Sequence, residues 1–203
     1  MAISEARSAN EEAFLDAAER LLVSTGYAGI SVRRLAEEAD ANHGLVHYYF
    51  GSMEELFLRV LERFTERLIE RQRAMYASDA PFIEKWRTAM HFLDEDIEAG
   101  YPKVWFELQA MAWNHPDMRE RVTRVNEEWR EVLTEAFTGA AKTYGLDPRR
   151  FPVGAMVSLV MTFNVGMMLE RMEGITAGHD ELLGGIDTWL EELERTKKKG
   201  AKR

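Results

Sequence analysis

The apolar residues of this chain recur three or four positions apart along almost its whole length. One such run extends from Ile83 to Ile97, and another from Met118 to Ala136. A period of about 3.6 residues places these side chains on one face of an α-helix, whereas a strand requires strict alternation. Long runs of Val, Ile and Thr, typical of strands, are missing from the sequence. The pattern predicts an all-α protein of about nine helices.

Composition sets further bounds on the class of protein. A chain of 203 residues, 46% of them hydrophobic, can bury a core as one large domain or as a small domain joined to a larger one. The absence of cysteine excludes disulfides, thiolate metal sites and cysteine nucleophiles. The N-terminus carries early acids rather than the apolar core of a signal peptide, and no segment reaches the roughly 18 uncharged apolar residues of a membrane span. We therefore expect a soluble, cytoplasmic protein without a membrane partner.

The charge of the chain argues against extensive binding to nucleic acid. The net charge is −9, and residues 1–60 contain five Arg, no Lys and ten Asp or Glu. Affinity for phosphate is mainly electrostatic, so any contact with DNA must be local. The basic run at 197–203 is interpreted as a solvated terminus.

Three short segments predict a helix-turn-helix motif. Ser31 can cap a short helix, a turn of about four residues follows around 40–43, and Gly51 ends a second short helix. Ser52 and Glu55 then form a capping box that opens a long helix. In such a motif the second helix can enter the major groove of DNA.

Helical geometry sorts the side chains of the second short helix. At about 100° per residue, Val46, Tyr49 and Phe50 share one side, where they can pack on the neighbouring helices. Gly44, His47 and Tyr48 point the other way, and Leu45 lies between the two faces. Glycine near a helix start costs stability, which makes sense if the backbone approaches another surface closely. The outward face can supply hydrogen bonds to phosphates and base edges.

The segment SVRRLAEEADANHGLVHYYFGSMEELF resembles the DNA-binding signature of the TetR (tetracycline repressor) family of transcriptional regulators. The resemblance covers roughly residues 10–60 and implies a helix-turn-helix domain at 1–56, joined by a long helix to a ligand-binding and dimerisation domain at 57–203. It also implies binding to a double-stranded DNA operator. The residues that it places at DNA are Ser31, Arg33, His43, Gly44, Leu45, His47, Tyr48 and Tyr49.

Three positions depart from the family pattern. His47 stands where the family usually has tyrosine, and Asp40 where a turn glycine is common. Met53 stands where the family usually has a lysine that binds phosphate, at the start of the fourth helix. Losing that lysine predicts weaker electrostatic anchoring on DNA.

The larger domain contains a segment, 153–169, without any charged residue. A helix that is apolar nearly all round predicts burial on more than one side. Together with the amphipathic last helix it suggests a homodimer interface of four helices, two from each subunit, as the resemblance implies. The dimer would present two recognition helices to a palindromic site.

The resemblance also implies a cavity for a hydrophobic or aromatic small-molecule effector. Gln109 and Asn164 are amides within apolar surroundings, and buried amides require partners, which a ligand or the backbone can supply. The candidate ligand-binding residues are Met90, Trp105, Gln109, Met111, Trp113, Trp129, Phe163, Asn164 and Met167. Repression is the commoner behaviour of the family, and release of DNA by the effector is expected.

Two other classes of protein compete with this interpretation. His91 with Asp94, Glu95 and Asp96 could form a metal site, but an acidic helix face in water explains the cluster without one. Phosphate loops, nucleophile elbows and zinc-protease patterns are missing from the sequence, so we expect no enzyme, no metal and no cofactor. A helical-bundle protein-interaction module that does not bind DNA is the second alternative, because the chain is acidic.

Overall fold

The computed structural model describes residues 2–200, with side chains from 9 to 197, and this part of the chain contains helices but no strand. The predicted all-α class is confirmed, and the described residues form nine α-helices. A short 3-10 helix, Tyr27–Gly29, follows the first of them. The α-helices are α1 (Ala2–Thr25), α2 (Val32–Glu38), α3 (Gly44–Phe50), α4 (Met53–Ala77), α5 (Phe82–Glu98), α6 (Tyr101–Asn114), α7 (Pro116–Tyr144), α8 (Val153–Met172) and α9 (His179–Gly200).

The chain forms two compact units, each built from two separate stretches. The first unit comprises Met1–Arg67 and Ala99–Val125, and the second comprises Leu68–Glu98 and Asn126–Arg203. Helices α4 and α7 therefore contribute residues to both units. The boundary expected from the resemblance, at residue 56, lies inside the first unit.

The core of the first unit joins α1, the two short helices, the first half of α4 and α6. Its side chains come from the apolar stripes of these helices, as the spacing predicts. The largest fully buried residues here are Phe14, Leu22, Leu35, Val46, Leu56, Phe57, Val60, Leu61, Val104 and Leu108.

Ion pairs between α1 and α4 account for the acidic residues of the N-terminal segment. Arg63 binds Glu12, Asp16 and Glu19, each at 2.8–2.9 Å. Arg67 also binds Glu19, at 2.6 Å. Because these two arginines lie beyond residue 60, the charge count of residues 1–60 overstates the uncompensated acidity of this unit.

Helix α6 holds the corner between α1 and α2. The Glu107 carboxylate accepts a hydrogen bond from the Tyr27 amide at 2.6 Å, across 80 positions of sequence. Gly26 adopts a φ of 73°, and a Cβ atom there would lie 2.5 Å from the Glu107 Oε1 atom. Lys103 Nζ donates to the Val23 carbonyl at 3.2 Å, near the end of α1. Charge-assisted contacts to main-chain groups therefore fix this corner.

Two apolar clusters form the core of the second unit. Ile83 and Trp86 of α5 pack with Leu190 of α9 in the first cluster. The second cluster joins α7 to α8 and consists of Leu133, Phe137 and Val157. On the surface, Arg87 binds Asp187 through two hydrogen bonds of 2.7 Å and thereby links α5 to α9.

Helix α8 is buried on one side only within a single chain. Val157 and Met167 are buried, whereas Leu159 is 70% exposed and Val165, Leu169 and Met172 are exposed as well. The expectation of burial on more than one side is thus wrong for the isolated chain, because no helix of the described residues covers the outer face. Among the described residues, α8 is also the one helix whose length and composition would allow it to cross a membrane.

Two helix starts differ from those that the capping residues predict. Asn10, followed by Glu11 and Glu12, predicts a helix start near residue 10, but α1 begins at Ala2. Asp147 before Pro148 predicts the start of the helix that contains 153–169. Instead, Asp147 closes a separate turn, in which its carboxylate accepts from the Arg149 amide at 2.9 Å, and α8 begins only at Val153, after Pro152.

Candidate nucleic-acid interface

Helices α2 and α3 and the turn between them form the predicted helix-turn-helix. The Ser31 hydroxyl caps α2 by accepting from the Arg34 amide at 3.2 Å. After α2 the chain turns through Asp40, whose φ of 49° lies in the left-handed region. The Ala41 amide then donates to the Ala36 carbonyl at 3.0 Å. This arrangement is the usual helix end in which glycine is favoured, and it explains the glycine that the family commonly has here.

The start of α3 has a cap that the sequence interpretation missed. The Asn42 side chain accepts a hydrogen bond from the Gly44 amide at 2.8 Å. A Cβ atom at position 44 would lie 3.3 Å from Asn42 Oδ1, which is tighter than ordinary contact. Glycine at this position therefore has a structural reason in addition to a close approach to DNA. An asparagine two residues ahead of a helix is a recognisable turn signal.

The inward face of α3 packs against α1. Val46 and Phe50 are buried, as the helical spacing predicts. The Phe14 ring lies 6.2 Å from the Phe50 ring and 6.3 Å from the Tyr49 ring. The Tyr49 hydroxyl accepts a hydrogen bond from Asn10 at 3.4 Å, and its side chain remains half-buried. Tyr49 therefore supports α3 from behind and has only a partial surface available for DNA.

The outward face of α3 carries His47 and Tyr48. Tyr48 is 65% exposed, and His47 is exposed beside it. His47 Nδ1 lies 3.0 Å from the Gly51 carbonyl oxygen. Because a carbonyl only accepts hydrogen bonds, Nδ1 is the donor in this contact, and Nε2 remains available to the surroundings.

Most of the remaining candidate residues for DNA are exposed to solvent. Arg33, His43 and Gly44 are exposed, and Leu45 is half-buried. Arg33 forms an ion pair with Glu37 at 2.9 Å, in which both side chains are largely exposed. Such pairs contribute little to stability, so Arg33 can exchange Glu37 for a phosphate. The roles of all eight candidate residues in DNA binding stay predictions.

The first turn of α4 follows directly after α3. The Ser52 hydroxyl caps this helix by accepting from the Glu55 amide at 3.1 Å. The Glu55 carboxylate binds Arg59 and Arg121 rather than the Ser52 amide, so only half of the expected capping box forms. Arg121 also binds Glu62 and thereby connects α7 to the beginning of α4.

Replacing Asp40 by glycine is expected to stabilise the first unit. Glycine removes the left-handed strain, so the free energy of unfolding should rise by about 0.5–1 kcal/mol. The matched variant Asp40→Asn removes the charge but keeps a side chain that tolerates this conformation. Urea unfolding of both variants checks the prediction, and equal stability of Asp40→Gly and Asp40→Asn would contradict it.

The candidate ligand-binding residues are divided between the two units. Trp105, Gln109, Met111 and Trp113 lie on α6 in the first unit, where Trp113 is 69% exposed. The other five, Met90, Trp129, Phe163, Asn164 and Met167, lie in the second unit. Among these, Met90 and Phe163 pack on the same apolar cluster, and Met167 is buried.

Asn164 is the candidate ligand-binding residue whose side-chain oxygen lacks a hydrogen-bond partner within the described part of the chain. Its Oδ1 atom is buried, and no hydrogen-bond partner for it occurs among the described residues. A buried amide oxygen without a partner costs about 1–3 kcal/mol, so it favours a partner that arrives from outside the fold. The prediction that Asn164 binds a ligand remains untested, and this oxygen is what supports it.

Comparison with known proteins agrees with the geometry of the motif. Residues 14–60 match the family of bacterial regulatory proteins described as the tetR family. The chain is 24% identical over 174 residues to YfiR of Bacillus subtilis, an uncharacterised HTH-type transcriptional regulator, covering 81% of this chain and 80% of YfiR. It is 30% identical over 116 residues to the HTH-type regulator BetI of Burkholderia mallei, covering 55% of this chain and 58% of BetI.

A solved structure extends the likeness to the whole fold. The regulator FadR of Bacillus subtilis, in complex with stearoyl-CoA, superposes with a TM-score of 0.69 at 16% identity. The superposition covers 88% of this chain and 96% of FadR. The helix-turn-helix and its exposed face define a DNA-binding transcriptional regulator. Residues 14–60 of this chain are similar to the helix-turn-helix region that the tetR family shares.

Proposed function

We propose that the protein is a repressor that binds a palindromic operator as a homodimer and is released by a hydrophobic or aromatic small molecule. The proposal is carried by the two faces of α3. One face is buried and holds the helix in place, and the opposite face exposes His47 and Tyr48. A rigidly supported helix of this kind suits reading of the major groove. Repression itself rests on the resemblance to the family.

Alanine substitution of His47 or Tyr48 is expected to weaken operator binding. Each side chain would supply a contact to a base edge or phosphate, so each substitution should cost about 1–3 kcal/mol per half-site. The operator is first selected from a random DNA pool, and affinities are then measured by gel shift.

His91→Ala is the matched control, because His91 is exposed on α5 in the second unit and forms only a surface contact with Glu95 at 3.4 Å. Wild-type affinity in both test variants would remove α3 from the interface. Failure to select any DNA would favour the alternative of a protein-interaction module.

The outer face of α8 supports the homodimer. Leu159, Val165, Leu169 and Met172 form an exposed apolar stripe on this helix. Leu182 and Trp189 of α9 are exposed as well. Contiguous apolar patches of this kind mark interaction sites, and a twofold dimer can bury the same patch from both subunits. The inner face of α8 packs on α5 and α7, which is why we prefer a dimer to a membrane for the outer face.

The effector is supported by a buried oxygen and by one structural neighbour. Asn164 Oδ1 lacks a partner among the described residues. FadR of Bacillus subtilis, which shares the fold, holds stearoyl-CoA. An effector would act by binding one conformation of the protein more tightly than the DNA-bound conformation.

A further inference from the structure

A cavity of about 590 Å³ lies in the second unit, beside the turn that joins α4 to α5. Its walls come from the end of α4, the start of α5, the second half of α7 and the end of α9. This volume is within the range of about 300–1,000 Å³ that small-molecule sites occupy. None of the ligand-binding residues predicted from the sequence lines it.

The apolar part of the cavity is built from two rings and a wall of small residues. Tyr76 and Phe82 stack with their ring centroids 6.4 Å apart. Helix α7 contributes Ala136, Gly139 and Ala140 to the lining. Gly139 is exposed, and no atom would lie within 4 Å of a Cβ atom there, so a larger side chain fits at this edge of the cavity.

Tyr76 brings a polar group that the fold leaves unused. Burial raises the pKa of Tyr76 to about 12. No hydrogen bond of its hydroxyl occurs among the described residues. Tyr76 is half-buried and lines the cavity, so a bound molecule can supply a hydrogen-bond partner for its hydroxyl.

Lys85 brings a charge that the fold leaves unpaired. It is half-buried, and its ammonium donates to the Tyr76 carbonyl at 2.7 Å. Lys85 forms no ion pair within the described part of the chain. Two of its three N–H groups remain available for an anion.

The other charged groups of the cavity lie at its rim or are already engaged. Arg73, Lys197, Asp79 and Glu135 are exposed, where solvent screens them. The Glu194 carboxylate accepts a hydrogen bond from the Tyr144 hydroxyl. Lys85 is therefore the inner cation that lacks a counter-charge, and the half-buried Glu194 carboxylate is an anion of the same cavity.

We propose that this cavity binds an organic acid, with its carboxylate on the Lys85 ammonium and its apolar body between the two rings and the small wall of α7. This inference rests on the proposed function, since it gives the effector a charge and a location. The location is this cavity and not the surroundings of Asn164, which does not line it. The proposed effector is thus more specific than a hydrophobic or aromatic molecule: it is a monoanion with an apolar body.

Binding of benzoate, 2-naphthoate and octanoate to the full chain, measured by calorimetry, tests the proposal. The three acids offer bodies of different shape, and their amides are neutral counterparts. At least one acid should bind with one site per chain. Lys85→Met should lower the affinity for that acid by roughly tenfold or more, as expected for the loss of a hydrogen bond to a charged group. The affinity for the corresponding amide should stay within about twofold of the wild-type value.

Two further variants keep the test sharp. Gly139→Leu should lower the affinity for both the acid and its amide, because the leucine side chain would occupy space at the cavity. Leucine is favourable in a helix, so α7 should tolerate this substitution. Lys142→Met is the matched control, since Lys142 is exposed on the same helix and does not line the cavity. Thermal melts of each variant confirm that it folds.

The possible outcomes distinguish a failure of the proposed binding site from a failure of the proposed function. Absence of binding for all three acids, or unchanged acid affinity in Lys85→Met, would overturn the proposed site. Operator binding is measured by gel shift without any acid, so its loss would count against the proposed function alone. An acid that binds and also releases the operator, with both effects lost in Lys85→Met, supports the two together.

Discussion

Leu159→Glu is expected to convert the protein from a dimer into a monomer and to abolish operator binding. Leu159 is 70% exposed in the single chain, on the outer face of α8. In the proposed dimer it becomes buried, and the twofold axis brings two copies of the new carboxylate into one apolar interface. An unpaired buried charge costs about 3 kcal/mol or more, which raises the dissociation constant of the dimer by roughly a hundredfold or more.

Sedimentation at micromolar concentration and gel shift measure the two consequences of Leu159→Glu. A monomer carries one recognition helix and cannot occupy both half-sites of a palindrome, so affinity and assembly should fall together. Thr138→Glu is the control, since Thr138 is an exposed residue of α7 and its change adds the same charge. A dimeric Leu159→Glu protein with full operator affinity would show that the subunits associate through another surface.

Phe14→Ala is expected to destabilise the first unit by about 3–5 kcal/mol, a large part of the stability of a typical domain. Phe14 is fully buried, and its ring contacts both Tyr49 and Phe50 of α3. The cavity left by the ring removes the support on which the exposed face of α3 depends. Operator affinity should therefore fall although residue 14 cannot itself reach DNA.

Urea unfolding and gel shift on the same preparations test Phe14→Ala. Phe151→Ala provides the comparison, because Phe151 is a half-buried phenylalanine of the second unit. Phe151→Ala should lower the free energy of unfolding by less than Phe14→Ala does and should leave operator affinity nearly unchanged. Phe14→Ala with wild-type affinity would mean that the packing of α1 on α3 is not needed for DNA binding.

The helices and the two faces of α3 could be predicted from local sequence because both follow from short-range rules. The hydroxyls of Ser31 and Ser52 cap helices by accepting hydrogen bonds from amides only three residues further along the chain. Val46 and Phe50 lie one helical turn apart and therefore share a face. Such contacts require no knowledge of distant residues. The same holds for the strained turn at Asp40, which the usual glycine of the family already indicated.

Features that depend on distant residues were missed. The sequence predicts that Glu55 completes a capping box, but Arg121, 66 positions away, binds its carboxylate instead. The cavity at Tyr76 and Lys85 joins three stretches of chain that no local pattern relates. Burial of α8 was predicted from composition alone, and composition does not distinguish a partner within the chain from a second copy of the chain.

The bond between Glu107 and the Tyr27 amide has an evolutionary consequence. A contact to a main-chain group does not depend on which side chain stands at position 27, so that position can vary without changing how the corner is held. Position 26 tolerates only glycine, because its φ of 73° and the carboxylate leave no room for a larger residue. We therefore expect glycine at 26 and an acid at 107 to be retained or lost together among proteins that share this corner.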